Sequence, residues 1–262
     1  MKYCLIGNPI NHSLSPKIHF ILGKEFNFPI EYSLEEGEKI NIEYLKENYA
    51  GFNVTMPFKE TIIPFIHELS NISQKIKSVN TVKVSQGKLI GHSTDGEGFV
   101  KDFKRAFNTD FYNKKVCILG TGGTCKAISY SIKEQNPKYL IFYSTTKTGE
   151  NIFSYKDQDL IKDCNVIINT TPVGMKENKC VLDQNIFQKN MLVYDVIYNQ
   201  KTLFLDYAQK QGAKICDGFG MLLYQGALSE MFWFEENRDE KIIHKLIGER
   251  YEKINLQRFF TQ

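Results

Sequence analysis

Short apolar runs alternate with helical patterns along most of the chain, as in a parallel sheet joined by crossover helices. The predicted class is α/β. Tyr3–Gly7 reads as a buried strand, and further strands are expected at Ile30–Leu34, Phe52–Val54, Val79–Val84 and Lys88–His92, the last two flanking a hairpin turn at Gln86-Gly87. Ser15-Pro16 predicts a helix start, a capping hydroxyl followed by proline at the first helical position. Asp95 opens another helix, to Phe107, with an acid where a helix N-terminus favours one. The polar stretch Asn108–Lys115 marks a boundary, and Val116–Leu119, Tyr139–Tyr143, Val166–Asn169 and Leu192–Val196 read as four strands of a second α/β unit. Long helices are predicted at Gly218–Glu236 and Glu240–Glu252. Two chain crossings between the units would leave a cleft where they meet.

Length and charge narrow the classes. A chain of 262 residues corresponds to roughly two domains. Its 33 basic and 30 acidic residues leave a net charge of +3, too balanced to draw the protein onto nucleic acid. Only Arg105, Arg238, Arg250 and Arg258 are arginines, so the interval between the first two has none. The six cysteines form no CxxC pair and no Cys/His ligand spacing, so reduced thiols are expected, with neither a metal site nor a disulfide framework. The N-terminus lacks the pattern of a signal peptide, and no run approaches the roughly 18 apolar residues of a membrane span. A cytoplasmic protein is expected.

The segment Val116–Ala127 is a strand, a glycine turn and a helix start. Gly120, Thr121, Gly122, Gly123 and Thr124 would bring backbone N–H groups to a pyrophosphate at a helix N-terminus, where partial positive charge and unpaired donors favour an anion. Cys125 replaces the third glycine of the usual pattern, and a P-loop is excluded because Ala127 stands where a Ser/Thr would bind magnesium. Dinucleotide binding is one reading, and a purely structural glycine turn is the other. After the second strand of this unit, Tyr143–Glu150 holds neither an acid for a ribose diol nor an arginine for a 2′-phosphate. Ser144, Thr145, Thr146 and Lys147 could hold a phosphate, so NADP is expected, with NAD as the alternative. A polar surface loop is the bland reading.

In the N-terminal unit four segments rich in small polar residues are each expected after a strand: Gly7–Pro16, Gly51–Lys59, Ser78–Thr81 and Gly91–Gly96. Loops at the carboxyl ends of strands line ligand sites in open α/β sheets. Ser13, Ser15, Thr55, Asn80 and Asp95 suit a small polyhydroxylated compound. Singly, Ser15 and Asp95 also read as helix caps, Asn80 as a turn residue and Lys59 as a surface lysine.

In combination and in this order, the motifs resemble the shikimate dehydrogenase family over nearly the whole chain. They are GNPINHSLSP from Gly7, NVTMPFK from Asn53, SVNTV from Ser78, STDGEGF from Ser93, the turn GTGGT from Gly120, Asn169–Met175, Tyr194–Tyr198, and Asp217–Leu222 with Gln225. The resemblance implies a substrate domain made from both chain ends, residues 1–107 and 218–262, around a Rossmann-type dinucleotide domain at 108–217. It implies NADPH-dependent, reversible reduction of 3-dehydroshikimate to shikimate. Carried over by motif, Lys59 is the acid/base residue and Asp95 its partner. Ser13, Ser15 and Tyr198 hold the substrate carboxylate; Thr55, Asn80, Asp95 and Gln225 hold ring hydroxyls. Gly120–Thr124 cradle the pyrophosphate, with Val196 and Gly218 near the nicotinamide. A lysine suits the chemistry without a metal, because an ammonium can stabilise and then protonate the oxygen on which hydride addition places charge.

The chain departs from the family pattern on the cofactor side. Ser144 stands about where an arginine is common, leaving Lys147 and Lys126 as the nearest cations. The interval from Tyr143 to Val166 is short, so the crossover helix usual there is expected to be shortened or absent. Lys77-Ser78 replaces small apolar residues. Two rivals follow: a quinate/shikimate dehydrogenase using NAD, and a catalytically silent shikimate sensor, against which the paired Lys59 and Asp95 argue. Either a monomer or a homodimer accommodates these readings.

Overall fold

The computed structural model describes residues 1–156 and 158–249, which form two six-stranded sheets. The first contains β1 (Lys2–Gly7), β2 (Glu31–Glu36), β3 (Gly51–Val54), β4 (Glu68–Leu69), β5 (Thr81–Ser85) and β6 (Lys88–His92), in the order β2-β1-β3-β5-β6-β4. β1 pairs in parallel with β2 and β3, whereas β5 is antiparallel to both β3 and β6. That reversal corrects one expectation. Ser78–Thr81 leads into a strand instead of following one, and because β5 runs backwards its start lies at the edge where β1, β3 and β6 end.

The second sheet contains β7 (Lys115–Leu119), β8 (Tyr139–Tyr143), β9 (Ile152–Phe153), β10 (Val166–Asn169), β11 (Leu192–Asp195) and β12 (Lys214–Asp217). Its order is β12-β11-β10-β7-β8-β9, and every pairing is parallel. The chain leaves β7 toward β8 and β9, then returns to build β10 to β12 on the other side. The switch point therefore lies between β7 and β10, where open sheets bind ligands. Two strands beyond the expected four are present, β9 and β12. The loop 144–151 contains no α-helix, in line with the shortened crossover read from the sequence.

Nine α-helices flank these sheets among the described residues: α1 (Ser15–Glu25), α2 (Ile42–Asn48), α3 (Phe58–Thr61), α4 (Asn71–Ile76), α5 (Asp95–Phe107), α6 (Gly123–Lys133), α7 (Leu203–Lys210), α8 (Phe219–Phe234) and α9 (Glu240–Gly248). Residues 250–252 of the expected last helix lie outside the described residues. The cap of α1 differs from expectation. Leu14 is the N-cap and Ser15 is already helical, while the Ser13 hydroxyl accepts the Ser15 N–H at 3.2 Å.

The crossings are filled with aromatic side chains. Phe99 and Phe103 of α5 are fully buried with Phe111, and Tyr194 of β11 meets Phe99 edge-on at 4.9 Å. α5 packs along both α6 and α8. This shared helix sets the start of α5 beside the start of α6, which brings the two units' loops together. None of the described helices is long and apolar enough to cross a membrane.

Candidate active site

A cleft of about 640 Å³ opens where the strand ends of the first sheet face the start of α6 and the loop after β11. Lys59 lies on α3, directly after the loop that leaves β3, and its Nζ donates to Asp95 Oδ2 at 2.6 Å. Asp95 is the first residue of α5 and is buried, with its side chain 8% exposed against 15% for Lys59. The other Asp95 oxygen accepts from Asn80 Nδ2 at 2.7 Å, and the same amide reaches Gln225 Oε1 at 3.4 Å. Gln225 comes from α8, so two distant segments meet on the Asp95 carboxylate and a third joins them through the Asn80 amide.

Ser13, Ser15, Thr55 and Tyr198 line the same cleft. The Ser13 hydroxyl donates to Ser15 Oγ at 3.1 Å and is also hydrogen-bonded to Tyr198. Burial pushes the Tyr198 hydroxyl above the usual phenol range, while the bond to Ser13 opposes that shift. Thr55 lines the cleft at the end of β3. Ser13, Ser15 and Tyr198 thus form one hydroxyl cluster, separate from the Lys59–Asp95–Asn80–Gln225 group.

On the other side, the glycine turn has the features a pyrophosphate needs. Gly120 has φ +102°, a left-handed conformation that a side chain would strain. At Gly122, the N-cap of α6, a Cβ would meet nothing within 4 Å, so the approach to the helix terminus is open. The first N–H groups of α6, including Thr124's, have no intrahelical acceptors by helix geometry. Gly218 is constrained differently: a Cβ there would lie 2.1 Å from the Val196 carbonyl oxygen. Both Val196 and Gly218 line the cleft on the side opposite the first sheet. This donor set fits a dinucleotide phosphate.

The loop after β8 contributes a cation. Ser144 Oγ accepts the N–H groups of Thr146 and Lys147 at 3.2 and 3.0 Å, and lies 3.4 Å from Thr121 Oγ1. That turn aims Lys147 back at the glycine loop, where its Nζ donates to the Thr121 carbonyl at 3.2 Å. Lys126, the other nearby cation, pairs with Glu60 at 2.7 Å.

Residues 5–82 match the family model described as the shikimate dehydrogenase substrate binding domain. The shikimate dehydrogenase (NADP(+)) of Pyrococcus furiosus is 36% identical over 257 residues, spanning 93% of this chain and 94% of that protein. The chain belongs to the shikimate dehydrogenase family. A crystal structure of shikimate dehydrogenase from Aquifex aeolicus aligns with a TM-score of 0.84 at 30% identity, over 94% of this chain and 97% of that one. A crystal structure of shikimate dehydrogenase in complex with NADP+ has a TM-score of 0.84 at 28% identity, over 95% of each chain.

Several residues that build this cleft carry no role in the sequence reading. Asn53 donates to Ser229 Oγ at 2.9 Å and accepts from the Tyr32 hydroxyl at 2.8 Å. Thr94 N–H and hydroxyl both meet Asn80 Oδ1, which turns the Asn80 amide toward Asp95. Gln225 and Ser229 are four apart on α8, so two polar residues on one face of an apolar helix were the available signal. Glu36 Oε2 accepts the Ile10 and Asn11 N–H groups at 2.6 and 3.0 Å, pinning the serine loop. Nothing local marks Glu36, because the contact exists only once β2 pairs with β1.

Behind Val196, Asp195 holds two loops together. Its Oδ1 accepts from Asn169 Nδ2 and Ile197 N–H, and Oδ2 accepts the Thr202 hydroxyl at 2.6 Å. Burial raises this carboxyl from 3.8 to about 7, with the three hydrogen bonds opposing the shift. A raised carboxyl pKa means that the native state binds the proton more tightly than the unfolded chain. Stability therefore falls as pH rises from about 4 to about 7. Asp195→Asn can keep all three bonds by donating to Thr202. The loss of Tm between about pH 5 and about pH 8 should be smaller in this variant by roughly 3 °C or more in thermal melts. Parallel pH curves for the two proteins would contradict the assignment.

Proposed function

We propose that the chain reduces the ketone of 3-dehydroshikimate to the hydroxyl of shikimate, reversibly and with NADPH, in the route to aromatic amino acids. The observation that carries this reading is the Lys59–Asp95 pair, a buried carboxylate with a half-buried lysine, in one cleft between a hydroxyl cluster and a glycine turn. Residues 1–107 with 218–262 are assigned to the substrate domain and 108–217 to the dinucleotide domain. The helices α1, α8 and α9, which come from both chain ends and share a core, support that division. A cytoplasmic location, as monomer or homodimer, is part of the proposal.

NADPH, when bound, supplies the hydride. The chain's own residues prepare the ketone to receive it. Ser13, Ser15 and Tyr198 hold the substrate carboxylate, and Thr55, Asn80, Asp95 and Gln225 hold the ring hydroxyls. These contacts fix the ring so that its carbonyl oxygen faces Lys59 Nζ. As charge develops on that oxygen, the ammonium stabilises it and then gives up a proton, and in the reverse direction the amine takes the proton back. Asp95 orients the lysine throughout. Gly120, Thr121, Gly122, Gly123 and Thr124 would hold the pyrophosphate, and Val196 and Gly218 would face the nicotinamide. Ser144 and Lys147 would hold the adenosine 2′-phosphate.

Steady-state rates with shikimate and quinate, each against NADP and NAD, test the function. Shikimate with NADP should give the highest kcat/KM. Preference for quinate with NAD would favour the rival dehydrogenase, and inactivity despite tight shikimate binding would favour a sensor. For Lys147→Ala, the NADP KM should rise about tenfold while the NAD KM stays within about twofold. An unchanged ratio removes Lys147 from the 2′-phosphate site.

A further inference from the structure

We infer that the Thr124 side chain is a positioning residue for Lys59, so that the turn assigned to the cofactor also aims the acid/base group. The inference rests on the proposed role of Lys59 and adds a second anchor to it. Lys59 Nζ donates to two acceptors, Asp95 Oδ2 at 2.6 Å and Thr124 Oγ1 at 3.3 Å. An ammonium has three N–H donors. With two of them committed to acceptors on different helices, the third is confined to one direction, and all three side chains line the cleft.

Each anchor is itself fixed. Asp95 is held by Asn80, and Thr124 stands in the first turn of α6. The two helices approach closely, since a Cβ on Gly96 of α5 would lie 2.4 Å from the Ala127 carbonyl oxygen. The lysine's own helix is tied to the same place by its next residue, Glu60, which pairs with Lys126 of α6 at 2.7 Å. Gly123 faces the same lysine: a Cβ there would lie 3.5 Å, ordinary contact distance, from Lys59 Cβ and Cδ, and 3.1 Å from Ser78 Oγ. Anchored by Asp95 alone, a long flexible lysine would swing about a single hydrogen bond. Thr124 removes that freedom. Its backbone N–H and its hydroxyl then serve different partners: the first faces the assigned pyrophosphate, and the second holds the ammonium.

Thr124→Val keeps the β-branched shape and loses the acceptor; Thr124→Ser keeps the acceptor. With shikimate and NADP, Thr124→Val should lower kcat about tenfold and leave both KM values within about threefold. Thr124→Ser should restore at least about half of the wild-type kcat. Thr124→Ala is the second variant should valine fail to fold, and the same loss is expected of it. The inference is overturned by a kcat within about twofold of wild type, by a loss that serine does not restore, or by a defect confined to the NADP KM. Lys59→Ala is measured alongside. Normal turnover there overturns the role of Lys59 itself, whereas an inactive Lys59→Ala beside a normal Thr124→Val overturns this inference alone.

Discussion

Lys59→Ala is expected to lower kcat by about three orders of magnitude, the usual contribution of a well-placed acid/base group. Substrate affinity should stay within about tenfold, because only Asp95 among the groups assigned to the ring and carboxylate bonds to Lys59, and Asp95 keeps its 2.7 Å contact with Asn80. Asn80 keeps its orientation through Thr94, whose N–H meets Asn80 Oδ1 at 2.8 Å. Ser13 and Ser15 keep each other and the loop that Glu36 pins. The measurement is kcat from initial rates, paired with a shikimate dissociation constant. A near-normal kcat would sink the assignment. A large loss of affinity with little loss of kcat would instead make Lys59 a binding residue.

The largest stability effect is expected far from the cleft, for Arg238→Ala. Glu230 is a fully buried carboxylate on the apolar helix α8, between His19 of α1 and Arg238. A carboxylate only accepts, so His19 Nδ1 carries the proton in their 2.9 Å bond. Arg238 lies 3.5 Å from the second oxygen, long for a hydrogen bond, so its contribution is mainly charge. The guanidinium also lies 4.8 Å from the Phe26 ring and 5.3 Å from that of Phe234. Removing it strands a buried charge and empties an aromatic cage, a loss of about 3 kcal/mol. That corresponds to a fall in Tm of roughly 6–12 °C. Neutralising the stranded partner, in Arg238→Ala with Glu230→Gln, should recover part of it. A Tm within about 2 °C of wild type for Arg238→Ala would show that the pair contributes little.

The parts of this fold that read well from sequence are those whose signal is local. β7 and β10 are continuous apolar runs buried throughout their inner residues, so the sequence marks each to within one residue of its end. β9 went unread because two residues carry no periodicity, and it forms only by pairing Phe142 and Tyr143 with Ile152 and Phe153. β12 is a four-residue edge strand with a charged residue at each end, which resembles a loop. Asn80 stands just before an antiparallel strand, a placement that depends on pairing across the sheet.

The site followed the same rule. Lys59, Asp95 and Asn80 lie within motifs that are contiguous in sequence, and the fold brings them within hydrogen-bonding distance. Lys126 and Thr124 needed the third dimension. Lys126 reads as a cation near the cofactor and pairs with Glu60; Thr124 reads as a backbone donor and turns its hydroxyl to Lys59. Nothing along the chain links residues 59 and 60 to residues 124 and 126 until α3 meets α6.

A crystal structure of the chain with shikimate and NADP+ tests the central claim most directly. The hydroxyl-bearing carbon that loses hydride should lie between the nicotinamide and the first sheet, with its oxygen within hydrogen-bond distance, about 3 Å, of Lys59 Nζ. The shikimate carboxylate should meet Ser13, Ser15 and Tyr198. A ring turned so that its reacting oxygen faces away from Lys59, with another side chain in that place, would contradict the account.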